Sequence, residues 1–294
     1  MLGIGLMIGF CFLAPLGDAT AKFLTGAFPV LMLVAVRFAV QAAVLVPMSL
    51  RAYQTLPKDM RFWVLSTLRA ALHIAGIWMM ISALIYLPLA DALAIAFVMP
   101  FLMLLLGRYI LKETVGPRRL WACVVGFAGT LMVIQPAFAA VGWPAILPLG
   151  VAVVFAFFML VTRSIAKVLD PVALQGLNGL QALILLSLLV VFIGSGDWPM
   201  PQGTEWLWLL AVGLLGTVAH LLMTWSLRLA PSATLAPMQY LEIPFATIIG
   251  WMAFGDLPNG LAAFGIVVTM ATGLYIVWCE QQSARRSKTT PETT

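Results

Sequence analysis

The chain has 294 residues, of which 63% are hydrophobic and only 9% are charged. Soluble domains carry about 25% charged residues, so this chain cannot build a water-facing surface. The composition therefore excludes a soluble enzyme, a disordered protein and, despite the net charge of +5, a nucleic-acid-binding module.

Ten membrane-spanning helices are predicted when the chain is divided at charged clusters and Pro/Gly turns. They cover residues 2–24, 29–50, 62–86, 89–111, 120–139, 144–163, 171–193, 206–227, 232–254 and 260–279.

The basic residues orient this predicted bundle. Of the 16 Lys and Arg residues, 13 fall in alternate loops or in the C-terminal tail. The intervening loops contain Asp91, Asp197, Glu205 and Asp256, but no Lys or Arg. By the positive-inside rule, we expect both termini in the cytoplasm. The basic loop and tail residues are Arg51, Lys58, Arg61, Arg108, Lys112, Arg118, Arg119, Arg163, Lys167, Arg228, Arg285, Arg286 and Lys288.

The second half of the chain echoes the first at a shift of 142–143 residues, so that Pro29, for example, matches Pro171. Chance similarity between two apolar sequences is the alternative explanation. Each half holds five predicted spans, an odd number, and the two copies must therefore enter the membrane from opposite sides. Inverted repeats are a known architecture of secondary transporters, whose substrate sites lie between the halves. We interpret residues 1–140 and 141–279 as five-helix repeats and residues 280–294 as a disordered cytoplasmic tail.

A series of short motifs follows the spans, and none is specific alone. They are Asp18–Ala19…Lys22, Pro29…Arg37–Phe38, Pro88–Leu89–Ala90–Asp91, Pro100, Lys112–Glu113, Gly126…Gly129 and Glu242–Ile243–Pro244…Gly255–Asp256. In their order and spacing they resemble the EamA branch of the drug/metabolite transporter superfamily, over nearly the whole chain. The resemblance implies an all-α integral membrane fold of ten helices in two inverted five-helix repeats. It also implies movement of small organic metabolites across the inner (plasma) membrane of a bacterial cell.

The chain departs from the family pattern in its second copy. No charge there matches Arg37, and Asp256 replaces the usual glutamate. The two halves are therefore chemically unequal, and Arg37 cannot be assumed to have a symmetric partner.

Charged residues inside the first two spans are candidates for function, because a charge at mid-bilayer costs about 2.5–3.5 kcal/mol on insertion scales. Asp18 and Lys22 lie one helical turn apart near the outer boundary, where they can pair as an anchor or an outer gate. Arg37 lies near the midplane with Gln41 one turn deeper. Its guanidinium can hold a carboxylate or phosphate of a substrate. The alternative is a structural ion pair with Glu242 or a contact with a helix terminus.

Two further spans carry ionisable residues. Arg69 and His73 lie one turn apart in span 3, where the arginine can reach towards cytoplasmic water and the histidine can either pack or carry a proton. Glu242 lies about 15 Å deep in span 9, just before the helix-distorting Pro244. Removal from water disfavours a charged carboxylate, which makes Glu242 a candidate for proton coupling or for binding a cationic group. The alternative is a permanent ion pair with Arg37 or Arg69.

Uncharged polar residues form two stripes at helical spacing, one in span 7 and one in span 8. Such stripes either connect helices by hydrogen bonds or line a cavity for a hydroxyl-rich substrate. The stripe residues are Gln175, Asn178 and Gln181 in span 7, and Thr217, His220 and Thr224 in span 8.

We therefore expect a secondary transporter that works by alternating access. An amino acid or a related metabolite is the first candidate substrate, and a vitamin such as riboflavin is the second. The rival interpretations are an integral-membrane enzyme that modifies lipids and a non-transporting membrane assembly subunit. No Walker A, HExxH or GxSxG motif occurs, so we expect no catalytic residue, no metal, no cofactor and no direct use of ATP.

The expected partners are a small-molecule substrate, membrane lipid and, as a candidate coupling ion, the proton, but not nucleic acid. The sequence leaves the oligomeric state open, a homodimer being one option. The predicted substrate-binding residues are Arg37, Gln41, His73, Trp78, Gln175, Asn178, Gln181, Gln239, Tyr240 and Glu242. The predicted coupling or gating residues are Asp18, Lys22, Arg69 and His220.

Overall fold

The computed structural model describes residues 2–99, 101–102, 105–106, 117–165, 168–194, 198–229 and 239–289. Within these ranges the chain forms ten α-helices and no β-strand, which confirms the expected all-α fold. The helices are α1 (Leu2–Leu24), α2 (Val30–Met48), α3 (Met60–Leu84), α4 (Leu89–Ala96), α5 (Pro117–Val141), α6 (Leu147–Ile165), α7 (Pro171–Ile193), α8 (Glu205–Leu229), α9 (Glu242–Phe254) and α10 (Gly260–Thr289).

Seven helices of the described part, namely α1 to α3 and α5 to α8, are long and apolar enough to cross a membrane. The apolar parts of α9 and α10 are shorter, and α4 has only eight residues. Large apolar side chains such as Trp143 and Phe192 remain about four-fifths exposed, at 77% and 83%. An exposed apolar exterior is the expected surface of a protein whose solvent is lipid.

Helices α4 and α9 are interrupted spans. α4 ends at Ala96, and position 100 is a proline, which has no amide hydrogen and whose ring clashes with the carbonyl four residues earlier. α9 begins at Glu242 after a turn at Tyr240, and Pro244 stands four residues beyond that turn. The expectation of a continuous helix over span 4 is therefore wrong near its middle. The predicted span residues 107–111 and 232–238 lie outside the described part of the chain.

The helices pair across the two halves of the chain. α1 packs on α8 and α3 on α6, so the first helix of each half meets the third helix of the other. The second, fourth and fifth helices meet their own counterparts, as α2 with α7, α4 with α9, and α5 with α10. A two-fold axis between the halves requires this pattern, as expected for two inverted five-helix repeats.

The contact between α5 and α10 depends on a glycine. A Cβ atom added at Gly265 of α10 would lie 2.5 Å from the carbonyl oxygen of Gly129 in α5. That separation is well below van der Waals contact, and the obstacle is backbone rather than a movable side chain. Small residues at such points let membrane helices approach closely.

We predict that Gly265→Ala destabilises the protein, because the new methyl group must push α5 and α10 apart. Overpacking of this kind costs about 1–3 kcal/mol in well-packed interiors. Thermal unfolding in detergent should give a lower midpoint for this variant than for wild type. Gly260→Ala, at the start of the same helix with nothing within 4 Å of the added atom, is the matched control. Equal midpoints for the two variants would contradict the close α5–α10 contact.

Candidate functional site

A cavity lies between the two halves and adjoins both helix breaks. Its volume is about 120 Å³, which is smaller than the range of about 300–1,000 Å³ typical of small-molecule sites. Helices α1 to α4 contribute from the first half, and α6, α8 and the start of α9 contribute from the second. Most of the wall is apolar, with four methionines and three phenylalanines. The charged and polar wall residues are Asp18, Arg37, His220, Gln239 and Glu242.

Arg37 and Asp18 form a loose ion pair in this wall. Arg37 Nη1 lies 3.9 Å from Asp18 Oδ1, and the arginine is only 5% exposed. The guanidinium lies directly against α8, since a Cβ atom at Gly216 would come within 2.7 Å of Arg37 Cζ. The structural alternative considered for Arg37, a pair with Glu242, is therefore not the arrangement found.

Glu242 is the first residue of α9 and lies in the cavity wall. Its carboxylate makes no hydrogen bond or ion pair with any residue in the described ranges. Neither Arg37 nor Arg69 is its partner. The cavity therefore contains two acidic side chains and one arginine, and one of the acids is available to a ligand or a proton.

Arg69 is held outside the cavity lining by neutral oxygen atoms. Its guanidinium donates to Thr162 Oγ1 at 2.9 Å, to Asn178 Oδ1 at 2.7 Å and to Gln175 Oε1 at 2.9 Å. It also lies 4.7 Å from the ring centroid of Phe158. These contacts join α3 to α6 and α7, so Arg69 is enclosed rather than extended towards water.

The other predicted amides also connect helices. Ser66 of α3 donates to Gln181 Oε1 at 2.6 Å, and Gln181 Nε2 donates to Thr67 at 3.2 Å. Gln41 Nε2 donates to the carbonyl oxygen of Gln175 at 2.8 Å. The polar stripe of α7 thus faces α2 and α3, and none of its three residues lines the cavity.

The two histidines lie side by side although 147 positions separate them in the sequence. Their ring centroids are 4.8 Å apart, with the rings edge to face at 67°. His73 is fully enclosed, and its Nδ1 lies 3.0 Å from Asn178 Nδ2. His220 forms part of the cavity wall. The contact between the two histidines was not predicted, because they are far apart along the chain.

Lys22 does not pair with Asp18, and that expectation is wrong. Lys22 Nζ donates instead to Asp256 Oδ2 at 2.9 Å and to the carbonyl oxygen of Leu87 at 2.9 Å. A pair of residues four apart on one helix contributes only about 0.2–0.5 kcal/mol, so contacts with other helices decide. The observed bridge links α1 of the first half to Asp256, which lies two residues after the end of α9 in the second half.

Two predicted aromatic residues lie away from the cavity lining. Trp78 is 44% exposed on the outside of α3. Tyr240 is buried against Gly273 of α10, with its ring centroid 5.3 Å from that of Phe97. Gln239, in contrast, lines the cavity. The sulfur-rich wall was not predicted, because it has no sequence motif: its residues come from four separate segments of the chain, and they are Met80, Met99, Met159 and Met223.

Metal ligands are not grouped in the described ranges. No three His, Cys, Asp or Glu side chains there lie close enough together to hold a metal ion.

The fold defines a multi-pass membrane protein with a cavity between its two halves. The model of the EamA-like transporter family matches residues 1–135 and again residues 142–278. The chain belongs to that family.

Several known proteins are similar to this chain. The riboflavin transporter of Rhizobium johnstonii is 28% identical over 74% of this chain and 71% of that protein. The riboflavin transporter of Vibrio cholerae serotype O1 is 25% identical over 86% of this chain and 84% of that protein. The S-adenosylmethionine uptake transporter of Rickettsia conorii is 22% identical over 97% and 96%, respectively.

A protein of known crystal structure shares the fold. It is 22% identical, with a TM-score of 0.63 over 94% of this chain and 95% of that chain. Relatives that are named as transporters support transport of a small metabolite and argue against an enzyme.

We predict that Arg69→Met strongly destabilises the protein, because three enclosed acceptors on Thr162, Gln175 and Asn178 lose their donor. Each unsatisfied buried group costs about 1–3 kcal/mol, although hydrogen bonds between membrane helices average only about 0.6 kcal/mol. The midpoint of thermal unfolding in detergent should fall clearly. Arg61→Met, on the exposed first turn of the same helix, should leave it unchanged. An unchanged unfolding midpoint in Arg69→Met would contradict a stabilising role for the hydrogen bonds of Arg69.

Proposed function

We propose that this protein is a secondary transporter that carries a small organic metabolite across the bacterial inner membrane by alternating access. The cavity between the two halves is the observation that supports it. Both halves contribute ionisable groups to that cavity, and both of the interrupted helices end or begin at its wall. In secondary transporters, discontinuous helices and repeat interfaces form the substrate site.

The wall of the cavity favours a flat aromatic substrate over a free amino acid. Methionine sulfur and phenylalanine rings make favourable contacts with aromatic faces, and four methionines and three phenylalanines are available here. An amino acid would leave most of that apolar surface without a partner. We therefore propose a nitrogen heterocycle of the riboflavin type, which also agrees with the names of the most similar relatives given above. Its polar edge would meet Arg37, Gln239 and Glu242.

The bridge between Lys22 and Asp256 suggests how one end of the cavity closes. It joins α1 of one half to the end of α9 in the other, at the end of the bundle that the positive-inside rule assigns to the outside. We propose that this bridge closes the outer side and that it separates when the outer side opens. A substrate drives such a change only by binding the two states with different affinity.

Glu242 is the proposed coupling group. Its carboxylate lies in a mainly apolar wall without a basic partner among the described residues, and such a group is costly to keep ionised. It therefore accepts a proton readily or attracts a cationic group. The substrate's own gradient is the alternative source of energy.

The function can be tested by uptake into proteoliposomes. We expect riboflavin uptake to exceed that of S-adenosylmethionine and of a panel of amino acids. Glu242→Gln should lower uptake by about tenfold and remove any stimulation by a pH gradient, since a hydrogen bond to a charged group contributes about 1.5 kcal/mol or more. Trp78→Phe, outside the cavity lining, is the control. No uptake of any compound by well-folded wild-type protein would refute the proposal.

The outer closure can be tested by labelling. In a background with Cys11, Cys123 and Cys279 replaced by alanine, Ala96→Cys places a reporter in the cavity wall. Lys22→Met should speed its reaction with an impermeant maleimide added from outside, because the bridge to Asp256 is lost.

The exchanged pair Lys22→Asp with Asp256→Lys should return the labelling rate towards that of the parent, because the bridge is restored with reversed polarity. Lys58→Met, an exposed lysine in the α2–α3 connection, should have no effect. Unchanged labelling in Lys22→Met would exclude the bridge as a closure.

A further inference from the structure

Each of the two histidines carries an enclosed ring nitrogen that has no hydrogen-bond partner among the described residues. These atoms are Nε2 of His73 and Nδ1 of His220. The two rings are adjacent, with centroids 4.8 Å apart. An enclosed polar atom without a partner costs free energy, and two such atoms on neighbouring rings point to an interaction between them that another state of the protein completes.

The direction of the hydrogen bonds that lead to this pair is fixed at one end by Arg69. A guanidinium can only donate, so the Asn178 atom at 2.7 Å from it must be the carbonyl oxygen. The amide nitrogen of Asn178, Nδ2, then donates a hydrogen bond to His73 Nδ1 at 3.0 Å. His73 must accept at Nδ1, and it is therefore neutral with its proton on Nε2.

The proton on His73 Nε2 faces an apolar enclosure. The rings of Phe38, Phe155 and Phe158 surround His73 at centroid distances of 5.0, 6.2 and 4.9 Å. The fourth ring is that of His220, whose Nδ1 is an acceptor in need of a donor. A rotation of His220 that turns Nδ1 towards His73 would let this atom accept a hydrogen bond from Nε2–H. His220 would then hold its own proton on Nε2, and this nitrogen could donate a hydrogen bond to a ligand in the cavity.

We propose that Arg69, Asn178 and His73 form a directional relay that presents His220 to the cavity as a hydrogen-bond donor. The substrate would accept this bond through a carbonyl oxygen or an unprotonated ring nitrogen. His73, Asn178 and Arg69 are positioning residues, and of these four residues only His220 would touch the substrate. The last step rests on the proposed transport function, whereas the relay itself does not.

The relay can be tested without any substrate. The chain contains only two histidines, so labelling with ¹⁵N-histidine gives signals from these two residues alone. In magic-angle-spinning NMR of proteoliposomes, ¹⁵N shifts distinguish a protonated from an unprotonated ring nitrogen. We expect both histidines to be neutral with the proton on Nε2, and His220→Gln assigns the remaining signal to His73. A wild-type His73 with its proton on Nδ1, or a doubly protonated His73, would overturn the relay.

Asn178→Asp should reverse the relay. The carboxylate still accepts from Arg69, but it cannot donate to His73 and instead requires a proton on His73 Nδ1. His73 Nε2 then becomes an acceptor, and His220 must turn its own proton to Nδ1. Thr162→Val, which removes another acceptor of Arg69 and leaves Asn178 intact, should keep the wild-type pattern. An unchanged pattern in folded Asn178→Asp would refute the relay, and if that variant does not fold, the wild-type spectrum decides alone.

Uptake assays distinguish a failure of the relay from a failure of the proposed transport function. Asn178→Asp should lose uptake by about tenfold or more, because an acceptor on the substrate then meets an acceptor on His220. His220→Gln, which keeps a donor amide, should retain more uptake than His220→Leu. Equal uptake in these two variants would refute the role of His220 as donor. The expected NMR pattern without transport of any compound would support the relay and reject the proposed function.

Discussion

The hydrogen bonds of Arg69 determine how the two halves of the bundle meet. An arginine inside a membrane protein is tolerated only when its charge is fully solvated by protein atoms or by water. Here three oxygen atoms from α6 and α7 perform that solvation, and the face of Phe158 covers the guanidinium plane. α3 of the first half is thereby fixed in rotation and depth against two helices of the second.

This arrangement explains why the cavity is sulfur-rich and aromatic rather than lined with amides. The polar groups of α7 are used to solvate Arg69 and to bond to α2 and α3. The remaining space between the halves is bounded by the interrupted helices, where proline prevents a continuous ladder of backbone hydrogen bonds. Such irregular backbone is stable at membrane depth only where it is buried in protein or lines a cavity, and the cavity adjoins both interruptions.

Much of the fold was predictable because a membrane imposes length and charge on each span. Seven of the ten predicted spans agree with the observed helices to within a few residues. An eighth, α10, begins at Gly260 as predicted but continues to Thr289, ten residues into the segment that was predicted to be a disordered tail. Partners of the charged residues were less predictable, because they depend on helix rotation and on contacts distant in sequence. Asp18 pairs with Arg37 and Lys22 with Asp256, which is 234 positions away, although Asp18 and Lys22 share one helix face. The adjacent histidines escaped prediction for the same reason.

The Lys22–Asp256 and Arg37–Asp18 ion pairs differ in a way that bears on the proposed movement. Lys22 and Asp256 approach to 2.9 Å, and Lys22 also holds a backbone carbonyl oxygen. Arg37 and Asp18, in the cavity wall, are separated by 3.9 Å, and Glu242 nearby has no basic partner among the described residues. The Lys22–Asp256 bridge is thus well satisfied, whereas among the described residues the cavity wall retains the carboxylate of Glu242 without a basic partner and one histidine nitrogen, His220 Nδ1, without a hydrogen bond. In the proposed transport cycle, a substrate that supplied the contacts missing in the cavity would change the balance between the states, since only an interaction that differs between them can shift their populations.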